Sequence, residues 1–340
     1  MPRVAVIGAG AVGLSTAVLV QRRIPGVDIT IIADKFDKDT TSDGAAGIFR
    51  PSKNKTPGVP IPLLRQWLRD SWEHYSKLAL SPDAKDAGCF FTSGYQFYNN
   101  DDQNPFDEEL LHDILPNYRR LSEAELNMFP GNRYKQGWFL TTVMAESRRY
   151  LPYLMRKFIL AGGKVENRKV YDLKEFVGMF DVVVNCAGFG SCELLKDNKM
   201  IPIRGHLFRV EAPWLKHFIY AMEQDTYIIP GMDNVVIGGT LQKYDTGLEH
   251  REEDSKAVWE RACKMVPSLQ KATVQWQWVG LRPFREPLRL EKELMTFPQG
   301  QLNVVHNYGH GAEGVGMSWG TAVHASRLVT EVLQQGQAKL

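Results

Sequence analysis

The chain has 340 residues, 44% of them hydrophobic and 24% charged, which is enough apolar material for a large core and predicts two domains. Its 41 basic and 39 acidic residues give a net charge of +2 without a basic run, which argues against a nucleic acid partner. No apolar run reaches the roughly 18 residues of a membrane span and no secretory signal is visible, so we expect a soluble intracellular protein without membrane association.

The chain opens with a strand, turn, helix, strand pattern. Apolar residues 3–7 predict a strand, residues 14–23 a helix and residues 28–33 a second, parallel strand. The turn Gly8-x-Gly10-x-x-Gly13 has the dinucleotide fingerprint, in which the glycines allow a tight turn, close approach of a pyrophosphate and packing of the helix on the strand. Asp34 follows about 20 residues later, where an acid that binds ribose hydroxyls is expected. The unit predicts a dinucleotide site, for FAD or for NAD.

The middle of the chain changes from this pattern to one rich in strands. Helices are predicted over residues 61–78, 146–160, about 255–265 and 317–335. Strands are predicted over residues 89–98, 164–166, 181–186 and 303–306. The segment between the strand at residues 89–98 and about residue 137 is predicted to be polar and loop-rich. Between residues 203 and 279, the runs IRGHLFRV, TYIIPG, NVVIGGTLQ and VQWQWVG predict antiparallel strands.

Cysteine usage gives no sign of a metal or of a disulfide scaffold. The four cysteines are Cys89, Cys186, Cys192 and Cys263. Their spacing is not that of metal ligands, and their density is low. We therefore expect free thiols, a reducing compartment and no bound metal.

A second glycine-rich motif lies near the C-terminus. Residues 304–314, VVHNYGHGAEG, with GTA at 320–322, resemble the signature of D-amino-acid oxidases at every defined position. Physically, such a turn before a helix offers backbone N–H groups to the electron-rich end of a flavin. Further matches run in order along the chain: DKF at 34–36, TTSD at 40–43, AAG at 45–47, VNC at 184–186, RG at 204–205, APW at 212–214, YIIPG at 227–231 and GLRP at 280–283.

The chain therefore resembles the D-amino-acid oxidase and D-aspartate oxidase family, and over most of its length it is closer to the D-aspartate oxidases. The resemblance implies FAD as the cofactor. Because the glycine fingerprint and Asp34 provide a cradle for it and no flavin-linked His or Cys motif is evident, we expect FAD to be bound without a covalent bond. Its binding residues would be Gly8, Gly10, Ala11, Val12, Gly13, Asp34, Thr41, Ser42, Gly47, Ile48, Val170, Gly311, Ala312, Gly314, Val315 and Gly316. Gly44 stands where the family usually has a valine, which leaves the local geometry open.

The resemblance also implies a substrate site. Arg282 would bind the substrate α-carboxylate through its planar guanidinium fork, and the Tyr227 hydroxyl would reach the same carboxylate. Tyr220 and Ala312 would contact the substrate as well. Without the resemblance, the sequence would predict that Arg282 is a surface charge and that Tyr227 is a half-buried aromatic residue in a strand.

The family reaction needs orientation and exclusion of water more than it needs acid–base groups. A hydride passes from the substrate α-carbon to flavin N5, so the protein requires no general base on that carbon. Reduced flavin then gives electrons to O2, which forms hydrogen peroxide, and the imino acid hydrolyses to a 2-oxo acid and ammonia. His310 would be a turn residue, with a proton-handling role as the alternative.

The sequence supports two hypotheses about which D-amino acids the protein prefers. Acidic-specific relatives carry arginines where this chain has Tyr220 and Leu241, which argues against D-aspartate and D-glutamate. Arg50 could replace them as the cation for a side-chain carboxylate, and on this basis we expect an acidic preference. The alternatives are a solvated loop cation beside Pro51 and a neutral or broad-specificity D-amino-acid oxidase.

The predicted fold class is α/β, with a discontinuous Rossmann-like FAD-binding domain and a β-rich α+β substrate domain. The FAD-binding domain is predicted over residues 1–57, 145–200 and 283–340. The substrate domain is predicted over residues 58–144 and 201–282. A nicotinamide-dependent dehydrogenase, a glycine- or sarcosine-type amine oxidase and a redox-inactive flavoprotein remain as competing classes.

The last three residues, Ala338-Lys339-Leu340, resemble the tripeptide read by the peroxisomal import receptor. Together with a peroxide-producing reaction, they predict a location in the peroxisomal matrix and that receptor as a partner. Homo-oligomer formation is left open.

Overall fold

The computed structural model describes residues 1–99, 108–129, 134–221 and 225–337. Its strands are β1 Arg3–Ile7, β2 Asp28–Ala33, β3 Cys89–Tyr98, β4 Asn117–Arg120, β5 Gln136–Ala145, β6 Lys164–Asn167, β7 Val182–Asn185, β8 Met200–Glu211, β9 Phe218–Ala221, β10 Thr226–Pro230, β11 Val235–Gly238, β12 Gln242–Lys243, β13 Thr273–Phe297 and β14 Gly300–His310. Its helices are α1 Ala11–Arg23, α2 Thr41–Gly44, α3 Ile61–Ala79, α4 Ala84–Ala87, α5 Glu108–Leu111, α6 Glu123–Leu126, α7 Ser147–Leu160, α8 Ser191–Leu195, α9 Glu252–Met265 and α10 Gly314–Gln337.

The strands form one sheet with two parts. In the first part, β14, β7, β1, β2 and β6 are parallel neighbours in that order. In the second part, the order β4, β5, β3, β9, β10, β11, β8 and β13 is antiparallel except for the parallel pair β3 and β9. The 25-residue strand β13 joins the parts, because it pairs with β8 along its first half and with β14 along its second half.

Burial explains why the parallel strands are nearly continuous apolar runs. All four residues of β7 and four of the five residues of β1 are buried, as expected for a parallel sheet covered on both faces. Helices α1, α3, α7 and α10 share one hydrophobic cluster on one face. A smaller cluster around Leu173 and Phe176 covers the other face. A third cluster lies under the antiparallel part, where α9 packs.

The predicted fold class is confirmed, and most predicted helices and strands are present within a few residues. Two expectations need correction. The segment before residue 137, predicted as loop-rich, contains β4 and the short helices α5 and α6. The predicted strand VQWQWVG continues through Pro283 and Pro287 to Phe297 as part of β13.

The predicted domain limits stay a prediction. The limit between residues 282 and 283 falls inside β13, which pairs with strands of both parts of the sheet. The limits at 144–145 and 200–201 fall at the end of β5 and the start of β8. None of the helices that the structure describes has both the length and the apolar composition needed to span a bilayer.

Candidate active site

A cavity of about 640 Å³ lies at the carboxyl ends of the parallel strands, between them and the antiparallel part of the sheet. Residues at the ends of β1, β2, β7 and β14 line it. Open α/β sheets bind ligands at this edge, and the volume is in the range of about 300–1,000 Å³ that is usual for cofactor sites. The cavity is therefore the candidate active site.

The first glycine turn is shaped by backbone contacts that no other residue allows. Gly8 has φ +103°, and a Cβ there would lie 2.5 Å from the carbonyl oxygen of Cys186. A Cβ on Gly13 would lie 1.9 Å from the carbonyl oxygen of Gly8. The absence of side chains at both positions holds the start of α1 directly against the ends of β1 and β7.

The N-terminus of α1 opens into the cavity. Its cap residue, Gly10, has no side chain to satisfy the first-turn N–H groups, although the N–H of Ala11 donates to Ser42 Oγ at 3.0 Å. An open helix N-terminus favours an anion such as a pyrophosphate. Asp34, at the end of β2, borders the same cavity. These features fit the dinucleotide predicted from the sequence.

A second glycine turn faces the same cavity from the other end of the chain. Gly309 and Gly311 have φ +93° and +57°, and the 3-10 turn Gly311–Glu313 leads into α10. The positive end of this 24-residue helix therefore lies against the cavity, as expected for stabilising negative charge on a flavin.

His310, within the second turn, is held by the helix that follows. Its Nε2 lies 3.1 Å from Thr321 Oγ1 on α10, and burial lowers its pKa to about 4. The imidazole is therefore neutral at physiological pH. This contact favours the structural role in the turn over proton handling.

The structure brings the predicted cofactor residues together around the cavity. Those that line it are Gly8, Gly10, Ala11, Val12, Asp34, Thr41, Ser42, Gly47, Ile48, Val170, Gly311, Ala312, Gly314, Val315 and Gly316. Gly13 lies behind them, packed on Gly8. Sequence reasoning missed the wall formed by residues 186–190, whose signal was the glycine-rich turn directly after the buried strand β7.

The open question at Gly44 has a steric answer. A Cβ at this position would lie 2.1 Å from the indole of Trp278, which also covers Gly280. Trp278 therefore occupies the space that a larger residue at position 44 would need. The glycine and the tryptophan are matched to each other in this chain.

Arg282 of β13 and Tyr227 of β10 lie over glycines of β8 and β11, the two strands between them in the sheet. A Cβ on Gly205 would come within 2.3 Å of the Arg282 guanidinium, and a Cβ on Gly238 within 2.2 Å of the Tyr227 ring. Arg282 donates from Nη1 to the carbonyl oxygen of Thr240 at 3.0 Å. Burial raises the pKa of Tyr227, so its hydroxyl stays protonated and can donate. Both side chains line the cavity, and their contact with a substrate carboxylate stays a prediction.

Tyr220 continues this row of side chains. It is paired with Tyr227 across β9 and β10, with the ring centroids 5.2 Å apart. On its other side it pairs with Gln96 of β3. Burial raises the pKa of Tyr220, so it is a neutral phenol in the cavity wall.

Arg50 is buried, which corrects the alternative of a solvated loop cation. Only 2% of its surface is exposed. Its Nη1 donates to Gln96 Oε1 at 3.0 Å, and its guanidinium carbon lies 3.9 Å from the centre of the Tyr220 ring. A buried arginine stacked on an aromatic ring is a fixed positive charge at the wall of the cavity.

Comparison with known proteins agrees with this geometry. The family model described as FAD dependent oxidoreductase (DAO) matches residues 3–328. The chain belongs to this family. Its cofactor is therefore FAD, and the protein is an oxidoreductase. This excludes the two alternatives of a nicotinamide-dependent dehydrogenase and a redox-inactive flavoprotein.

Matches to curated relatives and to solved structures extend over nearly the whole chain of this FAD-dependent oxidoreductase. D-aspartate oxidase of Homo sapiens is 43% identical over 97% of the chain and 95% of the relative. D-amino acid oxidase of Dugesia ryukyuensis is 34% identical over 97% and 98%. The structure of glycine oxidase from Bacillus cereus ATCC 14579 has a TM-score of 0.77 at 20% identity, covering 97% and 95% of the two chains, which supports the fold.

Over the part of the chain that the structure describes, no cluster of three or more His, Cys, Asp and Glu side chains is arranged to hold a metal ion. Its four cysteines are unpaired, in line with the expectation of free thiols.

We expect the FAD of this oxidoreductase to be bound without a covalent bond. Cys186 lines the cavity, but burial raises its thiol pKa to about 12, so it carries almost no thiolate to attack a flavin ring. Acid precipitation of the purified protein should release the flavin into the supernatant. A yellow pellet after precipitation would contradict this expectation.

Proposed function

We propose that the chain oxidises D-amino acids to 2-oxo acids, ammonia and hydrogen peroxide, with a preference for D-aspartate and D-glutamate. The observation that carries the preference is Arg50, a buried cation in the wall of the cavity. The names of the relatives described above support D-amino acids as the substrate class.

Arg282 and Tyr227 are proposed to hold the α-carboxylate. The guanidinium offers parallel N–H donors, and the neutral phenol adds a further donor at its side. The Arg282 guanidinium and the Tyr227 ring each occupy the space that a Cβ on the underlying glycine would fill. This close packing leaves the two side chains little freedom to move. A carboxylate held in this way helps to direct the single α-hydrogen of a D-amino acid toward the cofactor.

For hydride transfer from the α-carbon, the main tasks of the protein are to orient the substrate and to exclude water. Bound FAD would supply the hydride acceptor and the means of electron transfer to O2. The apolar wall formed by Leu207, Ile229 and Trp278 limits water near the α-carbon. Because His310 is neutral and contacts Thr321, it is not assigned a proton-transfer role.

The acidic preference follows from the cost of burying a second carboxylate. Such a group without a cation nearby would cost several kcal/mol, so an acidic substrate requires a positive charge beyond Arg282. Tyr220 is neutral and Leu241 is 46% exposed without a charge, so neither supplies it. Arg50 stacks on Tyr220, whose ring centroid is 5.2 Å from that of Tyr227, and this proximity supports Arg50 as the second cation.

A peroxide assay with D-alanine, D-aspartate and D-glutamate tests this proposal. We expect the two acidic substrates to give the higher kcat/KM. Arg50→Gln should lower kcat/KM for the acidic substrates about tenfold, which corresponds to ~1.4 kcal/mol, and should spare D-alanine. Lys256→Gln, which removes an exposed charge on α9, is the matched control and should leave the ranking unchanged.

Other outcomes of the assay separate the alternatives. If the wild type prefers D-alanine or D-methionine and Arg50→Gln leaves the ranking untouched, the acidic preference is wrong and a neutral D-amino-acid oxidase takes its place. Turnover of sarcosine without turnover of D-alanine would favour an amine oxidase of the glycine or sarcosine type.

Location and assembly are proposed on sequence alone. The tripeptide Ala338-Lys339-Leu340 lies outside the described residues, so recognition by the peroxisomal import receptor and a place in the peroxisomal matrix stay predictions. Homo-oligomer formation likewise stays open. A product as reactive as hydrogen peroxide is a chemical reason for confinement in such a compartment.

A further inference from the structure

Two charged side chains at the cavity are not explained by the roles assigned above. Lys55 ends the short 3-10 helix Lys53–Lys55, and Glu313 lies in the turn before α10. The Lys55 Nζ lies 3.3 Å from Glu313 Oε1. The lysine side chain is 28% exposed and the glutamate only 4%, so the pair reaches from the rim of the cavity into its wall.

Lys55 and Arg50 are placed around the same aromatic ring. The Lys55 Nζ lies 5.8 Å from the centre of the Tyr220 ring, on which the Arg50 guanidinium stacks at 3.9 Å. Arg50 and Lys55 therefore both lie near this ring, and the buried carboxylate of Glu313 lies beside Lys55.

The arrangement has a consequence for an acidic substrate. A second substrate carboxylate in contact with Lys55 would also lie near Glu313, and two carboxylates in a buried site repel each other. A cation between them removes this penalty. The ammonium of Lys55 has three donors on a flexible stem, so it can contact Glu313 and a ligand carboxylate at the same time.

We propose that Lys55, held by Glu313, is a specificity-determining residue that completes, with Arg50, a subsite for the second carboxylate of the substrate. The inference rests on the proposed acidic preference. It assigns that preference to a pair of cations on the segment between β2 and α3, in place of the arginines that acidic-specific relatives have at positions 220 and 241.

Ligand binding to the holoenzyme tests the subsite without turnover. Succinate and butyrate have the same number of carbons and differ by one carboxylate, and their binding is followed by the change in flavin absorbance. We expect the wild type to bind succinate more tightly than butyrate. In Lys55→Met the dissociation constant for butyrate divided by that for succinate should fall about tenfold. Lys55→Arg should restore most of this ratio.

A double variant separates a direct contact from an indirect effect. Lys55→Met leaves the Glu313 carboxylate buried without its cation, and this carboxylate alone could repel succinate. Lys55→Met/Glu313→Gln removes both charges and leaves the net charge as in the wild type. If Lys55 contacts the ligand, the double variant stays defective in its succinate preference. If it recovers the wild-type ratio, Lys55 only neutralises Glu313 and the proposal is wrong.

The same titrations distinguish failure of this inference from failure of the proposed function. A wild type that oxidises D-aspartate and prefers succinate, combined with an unchanged ratio in Lys55→Met, overturns the role of Lys55 alone. A wild type that binds succinate no better than butyrate, and prefers D-alanine in the peroxide assay, overturns the acidic preference together with it.

Discussion

Replacing Arg282 with leucine should lower kcat/KM at least about a hundredfold for every D-amino acid tested. Removal of one partner of a buried charge pair costs ~2–5 kcal/mol, and a hundredfold loss corresponds to ~2.7 kcal/mol. Arg282 lines the cavity from β13, with its guanidinium packed over Gly205, so its loss removes the proposed anchor of the α-carboxylate. Steady-state kinetics with D-alanine and D-aspartate measure the effect.

The substrate anchor can be separated from cofactor binding in the same variant. The flavin content of Arg282→Leu should match the wild type, because the turns around Gly8 and Gly311 are unchanged. Arg282→Lys keeps the charge but not the planar fork, and should fall between leucine and wild type. Wild-type kinetics in Arg282→Leu would remove this residue from the site.

Gly13→Ala should abolish FAD binding and destabilise the protein. The added Cβ would lie 1.9 Å from the carbonyl oxygen of Gly8, so α1 must move away from the turn that faces the cavity. Overpacking a close contact costs ~1–3 kcal/mol or more, and displacement of the helix N-terminus also removes its N–H groups from a phosphate. Flavin content after purification and the thermal midpoint measure both effects.

Gly190→Ala is the matched control for this prediction. Gly190 also lines the cavity, but its added Cβ would make only an ordinary contact at 3.6 Å. We expect near-normal flavin content in this variant. Normal flavin content and stability in Gly13→Ala would mean that the helix adjusts without cost and that the turn does not require glycine at this position.

The sequence predicts best where one residue type has one physical reason. Gly8 and Gly13 could be assigned because only glycine tolerates their backbone contacts, and helices such as α7 follow the spacing of apolar residues along one face. The strand β9 was missed, because it has only four residues and is fixed by partners in β3 and β10.

The charges at the substrate end could not be settled from the sequence. Arg50 stands before a proline in a polar segment, and its burial depends on Gln96 and Tyr220, which are far from it along the chain. The contact of Lys55 with Glu313 joins the two ends of the sequence, and no local pattern marks it. Pairings of this kind exist only after the sheet has formed.

The continuity of β13 sets which parts of this oxidoreductase can change independently. Arg282 lies two positions before Phe284, which pairs with His310 at the start of the second glycine turn. This ladder pairing therefore places the proposed substrate anchor next to that turn, before the register shifts between Phe284 and Arg289. Arg50 and Lys55 stand on a separate segment outside this ladder. A library confined to residues 50–58 should therefore yield variants that accept new side chains while the reacting α-carbon keeps its place.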